Sequence, residues 1–195
     1  MPKPSHREKI LADGLRVMQQ RGFEGTSVRD IVKAAGVPLG SFTNHFPSKE
    51  AFALEVLNLY FTRTQALIQD TLKNEKVAPL ERLRAYIDAV ETALNQNCDG
   101  SGCLYGNFSM IPGRDCPTIQ LRLTQITQEL QEHVAACLKA AVKRKELPRT
   151  TDCEDLARFI NSSLQGAILR SKAEGSTDAM QCYKRIVFNT LLTKS

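Results

Sequence analysis

The sequence predicts an all-helical fold of about nine helices. Apolar residues recur at helical spacing along nearly the whole chain, and no segment shows the sustained alternation of a half-buried strand. Capping residues and turn formers divide this pattern into segments. With 195 residues, 42% of them hydrophobic, the chain can build a packed core. We therefore expect one large or two modest folded domains.

The first predicted helix runs from about residue 5 to residue 21. Ile10, Leu15 and Met18 lie on one side of it, with Leu11 and Val17 beside them, and Gly22 follows as a stop. The spacing of these apolar residues places them towards a core. We expect this helix to brace the two short helices that follow.

Residues 27 to 49 predict two short helices joined by a tight turn. Ser27 and Asp30 approximate a capping box, which satisfies the first backbone amides of a helix. Gly36 can end that helix, and Pro38 suits the opening of the next one within a residue or two. A turn this short forces a steep crossing, as in a helix-turn-helix that enters DNA.

The second short helix presents polar side chains outward while Phe42 and Phe46 pack inward. Short polar groups suit base edges and phosphates, and Lys49 can meet a phosphate at the start of the next helix. The predicted outward residues are Leu39, Gly40, Ser41, Thr43, Asn44 and His45. The alternative is a helical hairpin inside a core, with polar residues exposed only because surfaces are polar.

Six further helices are expected after the helix-turn-helix. They are a long helix over 49–73 capped by Ser48, one from Pro79 to Gln96, a short one over 103–111, a long one from 116 to 145, one over 152–174 after a Thr151–Glu154 capping box, and a last one from Ser176 or Thr177 with Met180, Tyr183, Val187 and Leu191 inward. The first of these links the head to the body and is the expected lever.

The segment from Ile10 to Val56 resembles the N-terminal domain of the TetR family of bacterial repressors. The resemblance includes Gly-Phe-Glu-Gly-Thr-Ser before the turn and Ser-Lys-Glu-Ala-Phe after it. The resemblance implies a DNA-binding domain over 1–48 and an effector-binding and dimerisation domain over 49–195. It also implies that Thr26 and Ser27 touch the DNA backbone, that residues 39 to 45 read the major groove and that Lys49 holds a phosphate. Thr43 departs from the pattern because the family usually places Tyr there.

Charge and hydropathy favour a cytoplasmic DNA-binding protein with no membrane partner. Residues 1 to 50 carry eight Lys or Arg against five acids, a net charge of +3, and the other 145 residues carry eighteen against sixteen, a net of +2. No apolar stretch is long enough for a membrane span or a signal peptide. Lys3, Arg7 and Lys9 can form a basic arm beside the duplex, although a frayed terminus explains Lys3 equally well.

A homodimer is expected through the last two helices. One recognition helix contacts few base pairs, so helix-turn-helix proteins commonly pair on two half-sites, and the resemblance implies the same arrangement. Ordinary intrachain packing is the competing explanation for the apolar residues of these helices.

The six cysteines predict neither a disulfide framework nor a metal site. Thiols stay reduced in the cytoplasm, Cys98 and Cys103 lack the spacing of a paired ligand motif, and the three histidines lie far apart in sequence. No cofactor is expected.

A second, looser resemblance concerns effector sensing. Residues 101–108 and 165–172 are similar to the branch of TetR regulators that sense electrophiles, oxidants or small unsaturated acids, which implies roles for Cys103 and Lys172. Cys103 follows a glycine-rich loop at a helix start, where amides and a nearby ammonium would favour a thiolate. The alternative is an inert, packed thiol. For a non-covalent ligand, the predicted pocket residues are Asn107, Phe108, Arg114, Gln165 and Ile168.

These observations predict a non-enzymatic repressor whose body binds or reacts with a small molecule and thereby leaves its operator. Activation instead of repression stays open. Two other classes compete: a thiol oxidoreductase, which would need a Cys-x-x-Cys pair that the sequence lacks, and a helical adaptor that binds protein through its basic head.

Overall fold

The computed structural model describes residues 5–96, 102–111 and 115–193, and this part of the chain consists of helices joined by turns and loops, with no strand. The helices are α1 (His6–Arg21), α2 (Val28–Ala35), α3 (Leu39–His45), α4 (Lys49–Asp70), α5 (Pro79–Gln96), α6 (Leu104–Ser109), α7 (Pro117–Lys143), α8 (Cys153–Glu174) and α9 (Asp178–Ile186), followed by a π-helical turn (Val187–Leu191). The all-helical fold class is confirmed. The predicted helix bounds agree to within a few residues.

Two compact units make up the chain. Unit 1 comprises Met1–Thr62 and Ser101–Thr124, and unit 2 comprises Arg63–Gly100 and Gln125–Ser195. Unit 1 therefore holds α1 to α3 together with α6. No helix in the described part of the chain is long and apolar enough to span a membrane.

A cluster of three phenylalanine rings forms the core of α1 to α4 in unit 1. Phe42 and Phe46 of the α3 segment meet Phe52 of α4, with ring centroids 5.3 Å and 4.8 Å from the Phe52 centroid. Gly14 of α1 lies against the same ring, and a β-carbon added there would stand 2.3 Å from Phe52 Cζ and 3.1 Å from Ile31 Cγ2. A side chain at position 14 would therefore collide with the cluster, so glycine permits this close packing.

The helix ends in unit 1 follow the predicted capping rules. Ser5 and Glu8 form a capping box at the start of α1, and Ser48 Oγ accepts a hydrogen bond from the Ala51 amide at the start of α4, at 3.0 Å. Gly36 ends α2 in the left-handed conformation, with φ 60° and ψ 40°. Local sequence therefore determines where these helices begin and end.

Two ion pairs and a hydrogen bond join α5, α8 and α9 in unit 2. Lys184 Nζ lies 2.9 Å from Asp88 Oδ1 and 2.7 Å from Glu91 Oε2, and this pairing raises the pKa of Lys184. Tyr183 donates its hydroxyl proton to the Ile160 carbonyl at 3.1 Å. Helix α9 is thus held to α5 and to α8 by residues that are far apart in sequence.

Two details of the last helices differ from the sequence predictions. Asp152, and not Thr151, caps α8, because its carboxylate accepts hydrogen bonds from the amides of Glu154 and Asp155. Leu191 is partly exposed while Leu192 is buried. The π-helical turn after α9 adds one residue to the turn, so the inward position after Val187 moves from 191 to 192.

Candidate nucleic-acid interface and effector-sensing residues

A full capping box holds the start of the helix-turn-helix. Ser27 Oγ accepts from the Asp30 amide at 3.2 Å, and Asp30 Oδ2 accepts from the Ser27 amide at 2.9 Å. The hydrogen bonds from Ser27, with a smaller contribution from Arg21, lower the pKa of Asp30. Arg21 Nη1 lies 3.1 Å from Asp30 Oδ1 and ties the end of α1 to the start of α2. The head is therefore braced at the residues that precede the turn.

The α3 helix has one buried and one open side, as its sequence predicts. Phe42 is buried, whereas Leu39 is 48% exposed. Gly40, Thr43, Asn44 and His45 are also exposed, and Ser41 is half-buried with its Oγ 3.5 Å from His6 Nδ1. The open side thus presents a hydroxyl, an amide and an imidazole, groups that can hydrogen-bond to base edges.

The residues expected at phosphates have different surroundings. Thr26 is only 1% exposed, and its hydroxyl donates to the Gly22 carbonyl at 2.7 Å, so its side chain supports the turn instead of facing a phosphate. Ser27 is exposed. Lys49 Nζ lies 4.2 Å from the centroid of the Phe23 ring, a cation–π contact. A phosphate contact by Lys49 would compete with that ring contact.

Three of the expected effector residues lie together at α6 in unit 1. Cys103 is the N-cap of α6 and is 8% exposed, and Phe108 is fully buried. The Phe108 ring meets the Phe23 ring edge-on, with centroids 6.3 Å apart. Asn107 donates its side-chain amide to the Gln19 carbonyl at 2.7 Å. Asn107 and Phe108 thus contact the segment that leads into the helix-turn-helix.

Gln19 is a buried polar residue that the sequence reasoning missed. Its Nε2 donates to the Gly102 carbonyl at 3.1 Å, while its own carbonyl accepts from Asn107. That carbonyl belongs to the last turn of α1, where backbone oxygens lack helical partners. Gln19 therefore holds the segment from Gly102 to Asn107 against α1 by two hydrogen bonds, one at each end of that segment. Its partners lie more than eighty residues away in sequence, so no local signal reveals them.

The environment of Cys103 differs from the predicted one. Its side chain accepts no hydrogen bond from the α6 amides, and α6 has only six residues. The amide of Leu104 instead bonds to the hydroxyl of Tyr60 on α4, which is also hydrogen-bonded to the Cys103 side chain. The Cys103 sulfur therefore has the Tyr60 phenol as a neighbour and receives no capping hydrogen bond from the α6 amides.

The remaining expected effector residues lie on α8 in unit 2, apart from Arg114, which is outside the described residues, as are Cys98 and Lys3. Ile168 is buried, Gln165 is half-buried and Lys172 is exposed. Intervals of three and four residues place the three on one side of the helix. Asn161 extends this side, and its Nδ2 is buried with no hydrogen-bond partner in the described part of the chain.

Three other described cysteines have raised pKa values. Burial raises the pKa of Cys116, and the nearby Glu50 raises it further. Burial likewise raises the pKa of Cys153, and that of Cys137 to about 11. Cys137 donates its thiol proton to the Pro79 carbonyl at 3.1 Å, as expected of a core residue. Cys182 is exposed, and the described residues contain no group of three His, Cys, Asp or Glu that could hold a metal ion.

A braced three-helix head with an open polar helix, followed by a larger helical body, defines a helix-turn-helix regulator of transcription. Family comparison agrees with this class. Residues 10–56 match the model described as bacterial regulatory proteins, tetR family, and residues 79–187 match the tetracyclin repressor-like C-terminal domain. The chain belongs to the TetR family.

Three known proteins illustrate the similarity. The HTH-type transcriptional repressor DhaR of Mycobacterium sp. (strain GP1) is 35% identical over 192 residues, which cover 98% of this chain and 95% of DhaR. The reduced form of E. coli NemR is 25% identical with a TM-score of 0.80, covering 94% of this chain and 95% of NemR. CifR, crystallised as a cysteine mutant with 26-bp double-strand operator DNA, is 20% identical with a TM-score of 0.81, covering 95% of this chain and 96% of CifR.

Proposed function

We propose that this TetR-family chain is a homodimeric repressor that leaves its operator when a small molecule binds to, or an electrophile reacts with, its effector domain. Residues 1–48 bind DNA in this proposal, and residues 49–195 sense and dimerise. The observation that carries it is the open polar side of α3 on a head whose opposite side is a phenylalanine core. The polar side chains of such a helix are available to bind another molecule, because only its opposite side packs against the chain.

The α3 helix would enter the major groove. Ser41, Thr43, Asn44 and His45 are the side chains assigned to base edges, and Leu39 and Gly40 complete the same face. Ser27, at the start of α2, and Lys49, at the start of α4, would bind phosphates. Thr26 would keep these groups in place from its buried position. CifR, of the same fold, was crystallised on operator DNA, which supports DNA as the partner of this head.

The dimer would form through α8 and α9. Large apolar side chains on these helices are exposed in the single chain: Phe159 by 53%, Leu169 by 67% and Ile186 by 43%. Water contact at such side chains is unfavourable, and a second copy of the chain would cover them. Two copies would also supply the two recognition helices that an operator with two half-sites needs.

The effector would act at Cys103 by covalent reaction, or beside Gln165, Ile168 and Lys172 as a bound ligand. DhaR and NemR are described as repressors, and NemR was crystallised in a form called reduced, which supports a redox-sensitive repressor as the model for this chain. A ligand shifts the equilibrium between DNA-binding and released forms only by its difference in affinity for the two. Because Gln19 connects the Cys103 turn to α1, any change of that turn would strain the DNA-binding head.

Operator binding is tested first. Fragments of the source genome retained by the protein supply the operator, and fluorescence anisotropy then compares the wild type with a His45→Ala, Lys49→Ala double variant. We expect a large loss of affinity, with the slope of log K against log salt reduced by about 0.9 for the lost phosphate contact. Lys76→Ala, an exposed lysine of the α4–α5 loop, serves as the control. Equal affinity of the double variant and the control would refute the assignment.

Sensing is tested with the operator in hand. Cys103→Ser should bind the operator as the wild type does and should no longer be released by N-ethylmaleimide, whereas Cys182→Ser, which removes an exposed cysteine, should be released normally. Release of Cys103→Ser by the reagent would exclude Cys103 as the sensor.

Size-exclusion chromatography with light scattering measures the dimer, and a monomeric Phe159→Asp variant that keeps its helix content would support the α8 interface.

A further inference from the structure

The first turn of α1 lies along one flank of the α3 helix in unit 1. His6 Nδ1 stands 3.5 Å from Ser41 Oγ, near the start of α3. The guanidinium carbon of Arg7 lies over the Phe46 ring, 5.3 Å from its centroid, and Phe46 directly follows α3. Both His6 and Arg7 are exposed. Two consecutive residues of α1 therefore follow α3 from near its start to its end.

A helix that enters the major groove has phosphates along both of its flanks. The major groove of B-DNA is about 12 Å wide, and a helix with its side chains is about 10–12 Å across. A cation that lies beside such a helix therefore comes within reach of the DNA backbone. Arg7 has this position relative to α3, the helix that carries the proposed base contacts.

Two groups hold the Arg7 side chain, and they use different parts of it. The Phe46 ring attracts the cation through its π-electrons, whereas Arg7 Nη2 donates to Glu55 Oε2 of α4. The N–H groups of a guanidinium lie in its plane, so a contact with a ring leaves them available to an oxygen acceptor. Glu55 therefore occupies donors that a phosphate would need.

The pair between Arg7 and Glu55 is open enough to be exchanged. Their side chains are 45% and 36% exposed, and an ion pair that is this accessible to water contributes little free energy. A phosphate oxygen accepts the same charge-assisted hydrogen bonds as a carboxylate. Replacement of Glu55 by a phosphate therefore costs the fold little.

Lys9 has a different position, although the sequence predicts it in the same basic arm. Its Nζ lies 3.5 Å from the place that a β-carbon on Gly36 would occupy, beside the turn that follows α2. Cations are favourable near the C-terminus of a helix, where carbonyl oxygens lack helical partners. Lys9 therefore has a structural reason to stay at the turn, and Arg7 is the stronger candidate for a phosphate.

We propose that Arg7 binds an operator phosphate beside α3 and that Glu55 competes with this phosphate for the guanidinium. The inference rests on the proposed function, in which α3 enters the major groove. On binding, Arg7 exchanges a carboxylate for a phosphate while the Phe46 ring keeps the arginine in place. Glu55 thus lowers the affinity of the head for every duplex, and binding depends more strongly on the base contacts of α3.

A second ion pair on α1 supplies matched controls. Arg16 pairs with Asp13, and Arg16 lies about two and a half turns from Arg7, which places it on the opposite side of the helix. Fluorescence anisotropy measures binding to the operator and to an unrelated duplex at several salt concentrations. We expect Arg7→Gln to bind both duplexes about tenfold more weakly and to lower the slope of log K against log salt by about 0.9 for each head. Arg16→Gln should bind as the wild type does.

The competition is tested by a double-mutant cycle. Glu55→Gln should bind the operator about two- to fivefold more tightly, a gain that no folding defect can produce. In the Arg7→Gln background the same change should have no effect, because the cation for which Glu55 competes is absent. An equal gain in both backgrounds would refute competition and assign the effect of Glu55 to net charge alone. Asp13→Asn should leave operator affinity unchanged.

Operators in which single phosphates are replaced by neutral methylphosphonates locate the contact. At the phosphate bound by Arg7, the replacement should weaken binding of the wild type and leave that of Arg7→Gln unchanged. Wild-type affinity in Arg7→Gln, together with lost affinity in the His45→Ala, Lys49→Ala variant, would overturn this inference and leave the proposed function standing. Wild-type affinity in both variants would overturn the proposed function as well.

Discussion

Replacing Gln19 by Met should weaken both the fold and the response to an effector. Methionine has a similar volume and no hydrogen-bond donor, so the variant loses the 3.1 Å bond to the Gly102 carbonyl and leaves that oxygen without its partner. The bond from Asn107 to the Gln19 carbonyl is a main-chain contact and survives the change. The cost of an unsatisfied, partly buried carbonyl is about 1–3 kcal/mol of unfolding free energy. For a domain of this size the melting temperature should fall by roughly 2–4 °C per kcal/mol.

The functional part of this prediction concerns coupling. Operator affinity is measured by anisotropy before and after N-ethylmaleimide treatment, and the ratio of the two dissociation constants gives the coupling between Cys103 and the head. We expect Gln19→Met to bind the unmodified operator nearly normally and to show a ratio about fivefold closer to one, which corresponds to about 1 kcal/mol. Gln20→Met alters the neighbouring exposed residue and is the matched control. A full coupling ratio in Gln19→Met, or an equal effect in Gln20→Met, would refute the bridge.

Three further changes test the fold. Gly14→Ala places a β-carbon 2.3 Å from Phe52 Cζ and should cost about 1–3 kcal/mol of stability in denaturant titration; a stable variant would contradict the close packing. Leu192→Ala should cost about 2–5 kcal/mol because Leu192 is buried after the π-helical turn, and a negligible loss would contradict its inward position. Burial, followed by Lys73, lowers the pKa of His133, so the unfolded chain binds its proton at higher pH, and stability should fall as pH drops below about 6.5. His133→Gln should reduce that fall, and an identical pH dependence would contradict it.

Local signals predicted the parts of the structure that local chemistry determines. The cap at Ser27, the stop at Gly36 and the inward Phe42 and Phe46 all follow from residues within a few positions of one another. The cap of α8 was assigned to the wrong neighbour because Thr151 and Asp152 are both good capping residues. Only the backbone geometry at that position distinguishes the two.

The contacts around Cys103 could not be predicted in this way. Gln19 and Tyr60 reach the α6 segment across long stretches of sequence, and neither belongs to a motif. The position of Cys103 at a helix start was correct, but the group at its sulfur is a phenol and not a set of amides. Which donor meets a side chain depends on tertiary packing, which periodicity does not encode.

The membership of Ser101–Thr124 in unit 1 has a consequence for engineering new regulators. A hybrid made by joining residues 1–48 to a foreign sensor would present Gln19 to an unrelated loop and lose both of its bonds to the 102–107 segment. A hybrid that also carries 101–124 from this chain would keep them. The useful cut for transplanting this head is therefore discontinuous, with a second piece taken from the middle of the gene product.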